Sequence, residues 1–116
     1  MIDLTGKTPE EAVRQFAHQV LYELYHYDLD ALDSLIDQTA FPLREQFPEP
    51  VDGVRYADPD ELSDWDFQLD LREDGGYNCH FDIPFSDPNY RCAIADFSLE
   101  HVRDSLSVRL NQVSPS

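Results

Sequence analysis

Two runs of strict polar–apolar alternation, held apart by Glu73-Asp74-Gly75-Gly76, constrain this chain more than any other feature. Trp65, Phe67, Leu69 and Leu71 alternate with Asp66, Gln68, Asp70 and Arg72; Tyr77, Cys79, Phe81 and Ile83 alternate with Asn78, His80 and Asp82. A period of two sends successive side chains to opposite faces of a strand, so the segment predicts an antiparallel hairpin with one buried and one wet face. Both apolar sets are odd-numbered, and residues opposite one another share a face. A two-residue Gly75-Gly76 turn sets Leu71 against His80, core against solvent. A three-residue loop, Asp74 to Gly76, sets Leu71 against Cys79 and Leu69 against Phe81, with Gly76 in the left-handed bulge position and Asp70 opposite His80 outside.

The hairpin needs something to cover it, and the N-terminal part of the chain provides it. Thr8-Pro9-Glu10-Glu11 is a capping box with proline at the first helical position and acids in the first turn. Val13, Phe16, Ala17, Val20, Leu21 and Leu24 recur at spacings of mostly three and four, which predicts a helix from Pro9 to about Tyr25 with one apolar stripe. Asp28 caps a second, shorter helix that buries Leu29, Leu32, Leu35 and Ile36. From Gln38 to about Ser63 the pattern is broken by Pro42, Pro48, Pro50, Gly53 and Pro59, while Phe41, Leu43, Phe47 and Val54 predict a connection lying on the core.

Downstream, Ser86-Asp87-Pro88-Asn89 reads as a turn, and Tyr90 to Leu99 as a central strand, apolar on both faces. The last segment is ambiguous: Leu99, Val102, Leu106, Leu110 and Val113 fit a helix, whereas Leu106, Val108 and Leu110 alternate. Arg103-Asp104-Ser105 resembles a hairpin loop, which favours a strand. Together these elements predict one α+β domain over residues 1–116, with two N-terminal helices packed on an antiparallel sheet of roughly four strands.

Charge decides which partners such a domain tolerates. The chain carries 24 acids against 8 basic residues, a formal charge of −16, and eight of those acids fall between Asp58 and Asp74. A field of that sign repels another polyanion, and seven scattered arginines form no basic stripe, so nucleic acid is rejected as a partner. The 16 Asp against 8 Glu and the single lysine, Lys7, also match the composition of proteins from high-salt cytoplasm. No basic n-region followed by an apolar run opens the sequence, and no run reaches the roughly 18 apolar residues of a membrane span. The expectation is a cytoplasmic protein, off the membrane, with Cys79 and Cys92 as reduced thiols.

Catalytic and metal chemistry find little foothold. An EF-hand loop laid from Asp58 puts Ser63 at the glycine position and Leu69 where the bidentate Glu belongs. Cys79 and His80 are adjacent in a strand and point to opposite faces, so they cannot share a zinc ion. Cys79 lies on the apolar face with no activating base. His18 falls off the apolar stripe near Tyr22 and Tyr25, His26 ends the first helix, and His80 faces Asp70 across the hairpin. No cofactor, metal site or catalytic set is expected.

The order of an amphipathic helix, the short helix Asp28-Leu-Asp-Ala-Leu-Asp-Ser-Leu-Ile, a loop and an antiparallel sheet resembles NTF2-like (cystatin-like) α+β domains. The pattern from Phe81-Asp-Ile-Pro-Phe through Ala95-Asp-Phe-Ser-Leu to Val108-Arg-Leu-Asn-Gln-Val also resembles small bacterial stand-alone domains, which overlap in size and charge with immunity proteins. The second resemblance implies a non-catalytic, immunity-type inhibitor that occludes a basic, toxin-like protein. Its expected contacts are Asp58, Asp60, Glu61, Asp64, Asp66, Asp70, Glu73, Asp74, His80 and Asp82, ridged along the hairpin, with Tyr56 or Trp65 as an aromatic anchor. The first resemblance implies the alternative, a small-molecule or enzyme pocket between the first helix and the sheet, using His18, Tyr22 or His80. NTF2-like enzymes hold a His–Asp pair inside a cavity, whereas the His80–Asp70 pair is expected to point outward.

Overall fold

A computed structural model of the chain describes residues 1–51, 53–62, 65–87 and 89–115. Helix α1 spans Pro9–Tyr25, and its start is set by the expected capping box. The Thr8 hydroxyl accepts the Glu11 N–H at 3.2 Å, and the Glu11 carboxylate accepts the Thr8 N–H at 3.3 Å. Helix α2 spans Leu29–Leu35, with the Asp28 carboxylate accepting the Ala31 N–H at 3.0 Å. Between them Tyr27 takes a left-handed backbone, φ 50°, a conformation costly for a bulky residue. Its hydroxyl donates to the Phe47 carbonyl and its ring stacks on Tyr56, which ties the corner to the following loop.

That loop carries a one-turn helix α3, Leu43–Gln46, and a 3-10 turn, Pro59–Glu61. Leu43 and Phe47 are buried, as expected for a connection lying on the core, while Phe41 is exposed. The sheet is built from β1 (Ile2–Asp3), β2 (Gln38–Thr39), β3 (Phe67–Leu71), β4 (Tyr77–Ile83), β5 (Ala93–Val102) and β6 (Ser105–Pro115). Its order is β1-β6-β5-β4-β3, antiparallel throughout, with β2 added to β6 in parallel. Four long strands form the expected sheet, and two dipeptide strands extend its edge. Among the described residues no helix is long and apolar enough to cross a membrane.

The hairpin pairs Leu71 with Tyr77, Leu69 with Cys79, Phe67 with Phe81 and Gln68 with His80. Parity and loop length are as predicted; the register is two residues away, because the three-residue loop is Glu73-Asp74-Gly75. The Arg72 N–H donates to the Gly76 carbonyl at 2.8 Å, and Asp74 Oδ1 accepts the Gly76 N–H at 2.9 Å. The left-handed residue is therefore Gly75, φ 89°. Gly76 is needed for space: a Cβ there would overlap the Arg72 guanidinium and lie 2.6 Å from the Leu99 carbonyl oxygen. Gly76→Ala is expected to destabilise the fold by about 1–3 kcal/mol through overpacking, read as a lower urea midpoint at unchanged slope.

Strand β5 is central, as expected, but it is not apolar on both faces. Ala95, Phe97 and Leu99 are buried, and Asp96, Ser98 and Glu100 alternate with them toward solvent. Tyr90 lies before it, in a turn where Asp87 accepts the Asn89 and Tyr90 N–H groups. The C-terminal ambiguity resolves to a strand, and a bulge explains it. Phe97 pairs with Leu110 and Asp96 with Gln112, so Asn111 is the extra residue and Val113 returns to the buried face opposite Ala95. The three-residue step from Leu110 to Val113 imitates helical spacing for that reason.

Helix α1 packs on the inner face of the sheet. Phe16 meets Phe97 edge-on at 5.3 Å between ring centroids, Phe97 stacks on Phe81 at 5.5 Å, and Trp65 closes edge-on over Phe81 at 5.7 Å. Val13, Ala17, Val20 and Leu24 fill the rest of the layer and are essentially inaccessible.

Candidate functional site

Covering only one face of an antiparallel sheet leaves the other to water, and its residues are then free to serve binding. By the pleat, the outer face of β3, β4 and β5 carries Gln68, Asp70, Asn78, His80, Asp82, Ile94, Asp96, Ser98 and Glu100. Asp66 enters the same face immediately before β3, where its carbonyl accepts the Asp82 N–H at 3.0 Å. Asp66, Gln68, His80, Asp82 and Ile94 line one shallow depression on it. Five carboxylates thus share the surface with amides, serines, Arg109 on β6 and, at the hairpin end, Arg72.

Among the described residues Glu100 alone of the five lies within salt-bridge reach of a cation, the Arg72 guanidinium at 3.7 Å. Burial, and then the Asp66 carboxylate beside it, push the Asp82 carboxyl above its ordinary range. A carboxyl whose folded pKa is raised binds its proton more tightly in the folded state. Its contribution to stability is therefore present at acid pH and is lost as pH rises through the folded value. Asp82→Asn is expected to stabilise the fold at neutral pH by no more than about 0.5 kcal/mol for so open a site, read as a slightly higher thermal midpoint. The gain should shrink as pH falls through the raised Asp82 value, a trend that melting curves across the acid range will check.

The expected ridge is divided by the fold into three places. Asp66, Asp70, Asp82 and His80 share the outer face. Asp58, Asp60 and Glu61 sit instead on the 3-10 turn beside α1, where Asp58 accepts the Asp60 N–H and Asp60 lies 3.2 Å from His18 Nε2. Glu73 and Asp74 are at the hairpin tip. There Asp74 binds Arg72 at 3.2 Å, and the Gly76 N–H, helped by Arg72, holds its carboxyl below the ordinary range. Asp64 lies outside the described residues. The sheet adds Asp96 and Glu100, which a reading of β5 as apolar on both faces passes over; the alternation Ala95-Asp96-Phe97-Ser98-Leu99 carried that signal.

His80 bonds Gln68 at 2.9 Å and not Asp70, a direct consequence of the two-residue register difference. His26 packs against the rings of Tyr22 and Tyr25 at 4.6 and 4.9 Å. His18 and His80 stand on opposite sides of the sheet, and the layer between α1 and the sheet is filled by side chains. Neither proposed anchor is free. Tyr56 is buried with its hydroxyl on the Pro48 carbonyl at 2.9 Å, and Trp65 is half-buried on Phe81. Cys79 and Cys92 are free thiols; burial pushes Cys79 up to about 12. Among the described residues no group of three or more His, Cys, Asp or Glu side chains is placed to hold a metal ion.

A second concave feature lies at the far end of the sheet. The start of β5, the end of β6 and the 46–56 loop enclose an open cavity of about 510 Å³ walled by Phe47, Val54, Tyr56, Phe85, Tyr90 and Val113. No sequence pattern announces it, because its walls come from four separated segments.

No family model, no curated protein and no solved structure matches this chain.

Proposed function

We propose that this domain is a non-catalytic binding protein whose acidic sheet face covers a basic protein, in the manner of an immunity-type inhibitor. The observation that carries the proposal is the disposition of Asp66, Asp70, Asp82 and Asp96 on one outer sheet face, with Glu100 beside them bridged to Arg72. Strands present successive outward carboxylates about 7 Å apart, and adjacent strands bring further ones within reach of the same partner. Burial first, and then the Asp66 carboxylate, raise the Asp82 carboxyl, and a lysine or arginine of a partner placed beside it favours its charged form. Occlusion, not chemistry, is the mechanism: the face blocks a basic functional surface by lying over it.

Capture from the native host at low salt tests this. The protein should retain a basic protein, release it as salt rises, and abolish its activity while bound. A variant with Asp66, Asp82 and Asp96 all changed to lysine should retain none of it. Equal retention by that variant, or no basic protein retained by the natural chain, removes the acidic face from the function.

A further inference from the structure

The apolar cavity and the acidic face meet. Asp82 pairs with Ile94 on the outer face, and Cys92, two residues before Ile94, lines the cavity, while Ile83 and Ala93 turn to the inner face; the acids and the cavity thus share one end of the sheet and approach each other at Cys92. The Asp82 and Asp66 carboxylates both act on the Cys92 thiol, raising it further after burial has done so. The cavity itself is almost wholly apolar, with Glu49 and Arg91 as its charged lining residues, one of each sign. Its volume lies in the range of pockets that enclose a compact ligand, more than one bulky side chain. A field of −16 around that mouth disfavours an anionic occupant and favours an apolar group with cationic neighbours.

Building on the acidic-face function proposed above, we infer that the cavity receives a short segment of the basic partner, two adjacent bulky apolar residues flanked by lysine or arginine. The apolar pair enters between Phe47, Tyr56, Phe85 and Val113, and the flanking cations lie toward Asp82 and Asp66. Such an arrangement divides labour as interfaces commonly do, with an apolar anchor giving residence time and charge giving rate and orientation.

The test is an array of hexapeptides, Lys-Lys-X-X-Lys-Lys, with both X residues set in turn to Leu, Phe, Trp, Ser or Gln. Each is titrated into the full chain at low salt by calorimetry and by amide chemical shifts. Apolar X should bind at least tenfold more tightly than Ser or Gln, since burying even one such side chain is worth that factor. Shift changes should centre on Val54, Phe85 and Val113. Ala93→Phe, which fills the cavity, should erase that preference, and Val51→Ser, uncharged and at a rim position 70% exposed and so harmless to folding, should weaken it. Both should leave the Lys-Lys-Ser-Ser-Lys-Lys affinity unchanged. Equal binding for all X, or no binding by any peptide, overturns the inference; in the first case charge alone holds the ligand and the acidic face stands. If Ser-Ser-Leu-Phe-Ser-Ser binds as tightly as Lys-Lys-Leu-Phe-Lys-Lys, the inference fails together with the role given to the acids.

Discussion

Changing Asp66 and Asp82 together to lysine is expected to slow association with the basic partner tenfold or more at low salt, without lowering the thermal midpoint. Electrostatic steering of this kind commonly spans about 10- to 1,000-fold in rate. Asp66 and Asp82 line the same shallow depression on the outer face, so both reversals act on one approaching patch. Screening supplies the control: at about 0.15 M salt the Debye length is about 8 Å, so the difference between variant and natural chain should shrink steadily as salt is added. Stopped-flow association rates at several ionic strengths measure it directly. A rate that is unchanged by the reversals, or insensitive to salt, leaves these acids as a solvated surface only. Stability should hold or rise, because both lysines lie among Asp70, Asp96 and the other acids of a chain of formal charge −16, whose overall repulsion they lessen.

The largest expected loss of stability comes from Phe97→Ala. Phe97 is fully buried at the centre of β5, stacked on Phe81 and met edge-on by Phe16, so it joins the helix layer to the strands that bear the acids. Truncating such a ring removes its transfer energy and leaves a cavity that its neighbours cannot collapse into, at a cost of about 3–5 kcal/mol. Against a typical total of about 5–15 kcal/mol this is a large share, corresponding to a midpoint lowered by roughly 15 °C or more. Urea unfolding followed by Trp65 fluorescence reads it, since Trp65 packs on Phe81 in the same aromatic cluster. The acidic face should lose affinity in parallel only where the fold itself is lost.

Local chemistry was legible in the residues themselves. The capping box at Thr8, the stripe along α1, the Asp28 cap and the parity of the two odd-numbered apolar sets of the hairpin all express short-range rules and stand in the fold, except that Leu71, at the open end of β3, is 70% exposed where the alternation expects a buried residue. What misled were places where one residue changes the count. The hairpin loop begins at Glu73 and not Asp74, because the Arg72 N–H can pair with the Gly76 carbonyl while Asp74 caps the Gly76 N–H. Glycine at both 75 and 76 allowed either reading. One extra residue in β6, Asn111, turned an alternating strand into something that also fits a helix.

The candidate site shows the same division. That a carboxylate faces outward on a half-buried strand follows from the period of two, so Asp66, Asp70 and Asp82 are placed by the sequence alone. Which carboxylates become neighbours is a matter of strand order and register, and these depend on contacts between segments far apart in the chain. Only the folded sheet brings Asp96 and Glu100 of β5 alongside them, sends Asp58, Asp60 and Glu61 to the helix layer, and gives His80 to Gln68. Only the packing of the 46–56 loop against the ends of β5 and β6 opens an apolar cavity at the edge of that face. Charge, capping and alternation are properties of single residues and near neighbours, and from them alone a strongly acidic α+β domain with a wet sheet face follows. The tertiary structure alone decided which of its charges act together, because adjacency in space is set by long-range pairing that no local pattern encodes.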